Sequence, residues 1–273
     1  MSEHFKAIAF DMDGTLLNSK KEISEYTLDM INKAFDEGKE VVLSTGRCIA
    51  ELRDYFKVIP RLRFAICSSG AIVYDVKEEK IIYSNCIPPD KVNAVLEESK
   101  KEDLMVHILD IESIVDEDKV KKMDYYGMGV YQSMYEKVTT KVSDIYEYYG
   151  FHPNPVPKLN LYHATASGRM RTRKRLENLG LVLVDAEKTA LECSAPGVTK
   201  GTGLKKLCEH IGIDVKDVIA VGDADNDIDL LKTAGFAVAM GNANDNLKAV
   251  ADVVVKDCDH DGCGEAVFKY LLD

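Results

Sequence analysis

Four short apolar, β-branched segments, Lys6 to Phe10, Glu40 to Leu43, Val218 to Val221 and Phe236 to Ala239, each run directly into a polar cluster. A short unbroken apolar run of this kind is the pattern of a strand buried on both faces, as in a parallel sheet. Between the runs the apolar spacing changes to that of helices: Leu28, Ile31, Ala34 and Phe35 ahead of Gly38, then Ile49, Leu52, Phe56 and Ile59, and later Leu204, Leu207, Cys208 and Ile211. Each set falls on one helical face. Strands alternating with amphipathic helices predict an α/β fold, a doubly wound parallel sheet. Ligands of such sheets sit beyond the carboxyl ends of the strands, and the polar clusters fall at those ends.

The middle of the chain reads differently. A helix is expected near Asp90 to Lys100, strands near Met105 to Asp110 and Lys158 to His163, then a helix near Arg169 to Leu179 and a strand near Leu181 to Val184. This predicts a separate α+β unit inserted into the first domain, entered near Pro88-Pro89 and left before Ala195-Pro196-Gly197. The expected division is a core of residues 1–85 and 189–273 with an inserted cap of residues 86–188. No internal repeat or low-complexity tract interrupts it.

A chain of 273 residues has room for two such units, and 46% hydrophobic with 30% charged residues is the composition of a globular protein rather than a disordered one. No apolar run reaches membrane length, and the start, MSEHFKAIAFDMDG, lacks a charged leader with an apolar stretch, so a cytoplasmic location without membrane partners is expected. The seven cysteines are scattered, which reads as free buried thiols rather than a disulfide framework. A formal net charge of −11 repels a nucleic-acid backbone, so an anionic ligand must be met by a local cluster of donors or a bound cation.

Four clusters supply such groups. Asp11-Met12-Asp13-Gly14-Thr15 sets two carboxylates and the backbone amides of a turn at a strand end. Ser44-Thr45-Gly46-Arg47 offers a hydroxyl, a glycine amide and a guanidinium at a helix start, or an ordinary N-cap. Pro196-Gly197-Val198-Thr199-Lys200-Gly201 brings a lysine to the start of the next helix. Gly222-Asp223-Ala224-Asp225-Asn226-Asp227 gathers carboxylates and an amide, hard oxygen donors of the kind Mg²⁺ takes. Singly, each has an ordinary structural explanation: an acidic turn, a cap, a surface lysine, a solvated loop. Together they match the parts that phosphoryl transfer needs.

The motifs DMDGTLLNS, STGR, PGVTKG and GDADND, in this order with a large insertion between the second and third, resemble the haloacid dehalogenase-like (HAD) superfamily, in particular its Cof-type phosphatases. Ala239-Met240-Gly241-Asn242-Ala243 and Asp261-Gly262 are similar to that branch too. The resemblance implies a Rossmann-like core with an inserted cap and a Mg²⁺-dependent phosphatase acting on a small phosphomonoester. It implies Asp11 as a nucleophile forming an aspartyl phosphate, and Asp13 as the acid and base. It places Mg²⁺ on Asp11, the Asp13 carbonyl and Asp223, with Asp227 in support. Phosphate oxygens would meet Thr45, the amides of Met12 and Gly46, Arg47, Lys200 and Asn226. Two positions depart from the pattern: Ser69 stands where Asn is usual before Gly-Ala, and Cys48 follows Arg47 where Pro is frequent.

Cys258-Asp259-His260-Asp261-Gly262-Cys263 holds too few N and S ligands for zinc and is read as structural. The basic run Arg169, Arg171, Arg173, Lys174, Arg175 is read as a solvated helix face, and the tyrosines between Tyr125 and Tyr149 mainly as packing within the insertion. Two other functions compete: a phosphosugar mutase returning the phosphoryl group to a sugar, and a sensor that only binds a phosphate ligand. The substrate is left open among sugar phosphates and phosphorylated cofactors, and the chain is expected as a monomer or small homo-oligomer.

Overall fold

The computed structural model describes residues 5–272; the first four residues of the segment read for a leader lie outside these. In chain order the strands are β1 (Ala7–Phe10), β2 (Glu40–Ser44), β3 (Phe64–Cys67), β4 (Ile72–Asp75) and β5 (Lys80–Ser84), then β6 (Leu104–Leu109), β7 (Ser113–Asp116), β8 (Thr140–Val142), β9 (Lys158–His163), β10 (Val182–Ala186) and β11 (Ala190–Ser194), and finally β12 (Val218–Gly222), β13 (Phe236–Ala239) and β14 (Val253–Val254). The chain forms two compact units. One holds residues up to Gly46, Tyr55–Ser84 and the chain from Thr199 onward; the other holds Arg47–Asp54 and Asn85–Val198.

The first unit is built on one sheet in the order β14-β13-β12-β1-β2-β3-β4-β5. It is parallel from β14 to β3 and antiparallel through the β3-β4-β5 extension. Every residue of β1 and of β12 is buried, the result expected of unbroken apolar runs at the centre of a parallel sheet. Because β1 lies between β2 and β12, the chain turns away on both sides of it, and the crevice of a doubly wound sheet opens at that point.

The helices follow the expected faces with small shifts. Ser24 caps Glu25–Asp36 by accepting from the Thr27 amide, and the buried stripe is Thr27, Met30, Ile31 and Ala34, with Leu28 and Phe35 half-buried beside it. Lys200–Ile211 is capped by Thr199 and buries Leu204, Leu207 and Cys208. The apolar pattern through Ile49 and Ile59 does not make one helix. The Ala50 amide donates to the Ile111 carbonyl at 3.0 Å, so the segment forms a 3-10 turn, Ala50–Leu52, before the helix Arg53–Val58.

The second unit carries a six-stranded sheet ordered β10-β11-β9-β6-β7-β8, antiparallel except for β7 and β8. The boundary expected between residues 188 and 189 falls in the short connection of the β10-β11 hairpin. Pairing of β11 with both β10 and β9 carries the unit on to Val198. Along the helix Ala166–Leu176, Arg171 and Arg175 pair with Glu102, and Arg169 and Arg173 approach Asp185, so the basic run is matched by acids. Tyr126, Tyr135 and Tyr149 are buried while Tyr125 is exposed, and all seven cysteines are free thiols. No helix among the described residues is long and apolar enough to cross a membrane.

Candidate active site

At the end of β1 the Asp11 amide donates to the Val221 carbonyl of β12 at 2.9 Å, which fixes the first residue past the strand to the neighbouring strand. The chain then folds back on itself: the Leu16 amide donates to the Asp11 carbonyl at 3.2 Å and the Leu17 amide to the Met12 carbonyl at 2.8 Å. Gly14 makes this turn possible, with φ +84° and no room for a side chain, since a Cβ there would lie 2.5 Å from Asp223 Oδ2. Thr15 closes the other side by donating to Asp223 Oδ1 at 2.9 Å. Asn242 Nδ2 donates to the Gly14 carbonyl at 2.8 Å, and its Oδ1 accepts from the Cys258 amide at 3.0 Å.

Lys200 enters from the first turn of its helix and is 1% exposed. Its ammonium donates to Asp11 Oδ1 in a very short contact and to Asp227 Oδ1 at 2.6 Å. Asp227 is fully buried, and its other oxygen accepts from the amides of Asp223 and Ala224 at 3.1 and 3.3 Å. That carboxylate therefore holds the β12 loop and Lys200 together. One oxygen from each of Asp11, Asp223 and Asp227 lies within 4.8 Å of the others.

Three carboxylates around one ammonium leave an excess of two negative charges if all are ionised. Burial, then Asp227, pushes the Asp11 carboxyl up to about 8, with Lys200 pulling the other way. Asp223 is raised as well, again chiefly by burial. Lys200 is raised despite its burial, because Asp11 and Asp227 both favour its charged form. A neutral Asp11 would give the ammonium little to hold, and the direct contact between them favours the ionised pair. An oxygen-only donor set with excess charge, and a glycine leaving space beside Asp223 Oδ2, fit a hard divalent cation such as Mg²⁺.

The remaining expected residues fall in different places. Asp13 is about one-third exposed and accepts from Lys21 Nζ at 2.9 Å. Met12 is buried, and Asn226 is exposed on the 3-10 turn Asp225–Asp227. Thr45 is buried just past β2, its amide donating to the Ile66 carbonyl at 2.8 Å, with Gly46 following. Arg47 is grouped with the second unit, where its guanidinium donates to Met134 Sδ at 3.2 Å. Thr15 and Asn242 complete the turn but carried no assigned role in the sequence. A threonine directly after Asp-Gly at a strand end is the signal that points to the first.

The chain matches the family described as haloacid dehalogenase-like hydrolase over residues 8–267. It is 29% identical over 269 residues to the 5-amino-6-(5-phospho-D-ribitylamino)uracil phosphatase YcsE of Bacillus subtilis, covering 98% of this chain and 96% of that protein. To the pyridoxal phosphate phosphatase YbhA of Escherichia coli it is 26% identical, over 98% of this chain and 99% of the relative. Among solved structures, a haloacid dehalogenase-like hydrolase from Bacteroides thetaiotaomicron superposes with a TM-score of 0.84 at 25% identity, covering 97% of this chain and 99% of that one.

Proposed function

The chain belongs to the haloacid dehalogenase-like hydrolases and is a phosphoric monoester hydrolase, and on that premise we propose that it cleaves small phosphomonoesters with Mg²⁺ through an aspartyl phosphate on Asp11. The observation that carries the reading is the constellation of buried Asp11, Lys200 and Asp227 with half-buried Asp223, where Lys200 from a helix start meets the carboxyl ends of β1 and β12.

In this reading Asp11 attacks phosphorus, the bond to the leaving oxygen breaks, and Asp13 gives that oxygen its proton. Asp13 then takes a proton from water as the water's oxygen attacks phosphorus and releases Asp11. The partial exposure of Asp13 suits a group that exchanges protons with solvent. Lys200 holds Asp11 in one orientation and offers positive charge where the transferring oxygens gather. Asp11, the Asp13 carbonyl and Asp223 would hold Mg²⁺, which supplies charge neutralisation between carboxylate and phosphate. Asp227 has its oxygens committed to Lys200 and two amides, and so supports rather than binds the ion. Thr45, the amides of Met12 and Gly46, and Asn226 complete the phosphate cradle. Arg47, the guanidinium that follows Gly46, adds positive charge to the same cradle. A soluble cytoplasmic enzyme with residues 85–198 as its cap is part of the same proposal.

The test is phosphate release from a panel of sugar phosphates and phosphorylated cofactors, with and without Mg²⁺, for wild type and Asp11→Asn. Mg²⁺ should also raise the melting temperature of wild type, by about 1 to 3 kcal/mol of stability at saturating ion, and not that of Asp223→Asn. Release that is indifferent to Mg²⁺ or to Asp11 would sink the mechanism.

A further inference from the structure

Ser68, Ser69 and Gly70 hold three successive positive φ values, 50°, 59° and 99°. The left-handed region disfavours any residue with a Cβ, and two neighbouring serines in it persist only where the surroundings impose the conformation. A hairpin loop between β3 and β4 would meet the same backbone with Gly, Asn or Asp. The surroundings here are the site itself. The Ser69 amide donates to the Thr45 carbonyl at 2.9 Å. A Cβ on Gly70 would lie 1.9 Å from the Thr199 carbonyl oxygen and 3.1 Å from the Lys200 nitrogen. On the helix, a Cβ at Gly203 would lie 2.5 Å from Ile66 Cγ2 and 3.1 Å from Gly70 Cα, so helix and turn are in backbone contact. The hydroxyls of Ser68, in the turn, and of Ser44, at the end of β2 opposite Ile66, are on fully buried residues and have no hydrogen-bond partner. A turn that tolerates strain and an unpaired hydroxyl is held for something other than its own stability.

We propose that Ser68–Ser69–Gly70 is a positioning element for phosphoryl transfer, fixing Thr45 on one side through the Ser69 amide and the first turn of the Lys200 helix on the other through Gly70. The spacing between the Thr45 hydroxyl and the Lys200 ammonium is thereby set by one rigid turn. This rests on the phosphatase reading above.

Four variants test it, assayed with p-nitrophenyl phosphate and Mg²⁺ and by orthovanadate binding. Ser69→Val opposes the left-handed conformation, Gly70→Ala and Gly203→Ala press turn and helix apart, and Ser69→Gly relieves the strain while keeping the amide. The first three, folded by circular dichroism, are expected to lose about 10- to 100-fold in kcat, with vanadate affinity falling in parallel and KM little changed. Ser69→Gly should keep kcat and melt higher than wild type. If Gly70→Ala fails to fold, Ser69→Val and Gly203→Ala carry the test. Folded variants with wild-type kcat and vanadate affinity overturn the proposal, as does Ser69→Gly losing as much as Ser69→Val. A wild type that binds vanadate but releases no phosphate overturns the phosphatase reading alone, and vanadate affinity across the variants then decides the role of the turn.

Discussion

Each unit buries a polar cluster, and the two are built on opposite electrostatic plans. In the first, Lys200 sits among Asp11, Asp223 and Asp227 with negative charge in excess. In the second, the cluster is a chain of side-chain hydrogen bonds. Glu51 accepts from Ser113 at 3.2 Å, Ser113 meets His107 Nε2 at 2.7 Å, His107 Nδ1 meets Tyr135 Oη at 2.9 Å, and Tyr135 meets Tyr162 at 2.9 Å. Burial pushes His107 down to about 3 and raises Glu51, so both sit toward their uncharged forms. A satisfied hydrogen-bond network rigidifies a core, whereas an ionic cluster with negative charge in excess favours a cation that offsets it.

The largest effect separates the two at once. Asp11→Asn is expected to cut phosphate release by at least about 10⁴-fold while leaving the melting temperature near that of wild type or above it, since one repelling charge is gone. Next, Lys200→Met strands Asp11 and Asp227 without their cation and should cost about 3 to 5 kcal/mol in denaturant unfolding as well as activity. A loss below about 1 kcal/mol would mean that the ion pair does not organise the site.

The second cluster should respond to pH instead. Above about pH 6.5 His107 is neutral in both states; as pH falls toward 3 the unfolded chain takes the proton first, so stability declines across that window. The contribution reaches up to about 4 kcal/mol, and His107→Gln should flatten the slope. The smallest effect belongs to Tyr135→Phe, which leaves His107 Nδ1 and Tyr162 short of a partner and should cost about 1 to 3 kcal/mol. Its kcat on p-nitrophenyl phosphate should match wild type; a large loss would erase the functional contrast between the clusters.

The same contrast explains what the sequence made legible. Asp11 and Asp223 stand directly after the apolar strands, with Asp13 and Asp227 in the loops that follow, so the parallel sheet that the runs predict also delivers these loops to one edge. Lys200 is legible as a cation at a helix start, and its burial is not, because that depends on Asp11, 189 residues away. The second cluster announces nothing: His107 and Tyr135 lie 28 positions apart, and Glu51 and Ser113 62 apart, with no shared pattern. The antiparallel extension was hidden for another reason. β5 is an edge strand with both ends exposed, so its side chains lose the clear alternation that marks a half-buried strand. The stretch near residue 188 is the tight connection of the β10-β11 hairpin, which in composition looks like a linker between units.

The position of β1 between β2 and β12 also orders events during synthesis. β1 to β5 leave the ribosome first, with one side of β1 unpaired, and the partner strand begins only at Val218. At ordinary elongation rates that exposed edge waits roughly ten seconds or more, while the insertion with its β6-β7 and β10-β11 hairpins emerges and folds. The nascent chain therefore carries an open strand edge throughout synthesis of the insertion, and it is in that interval that chaperone capture or aggregation competes with completion of the catalytic sheet.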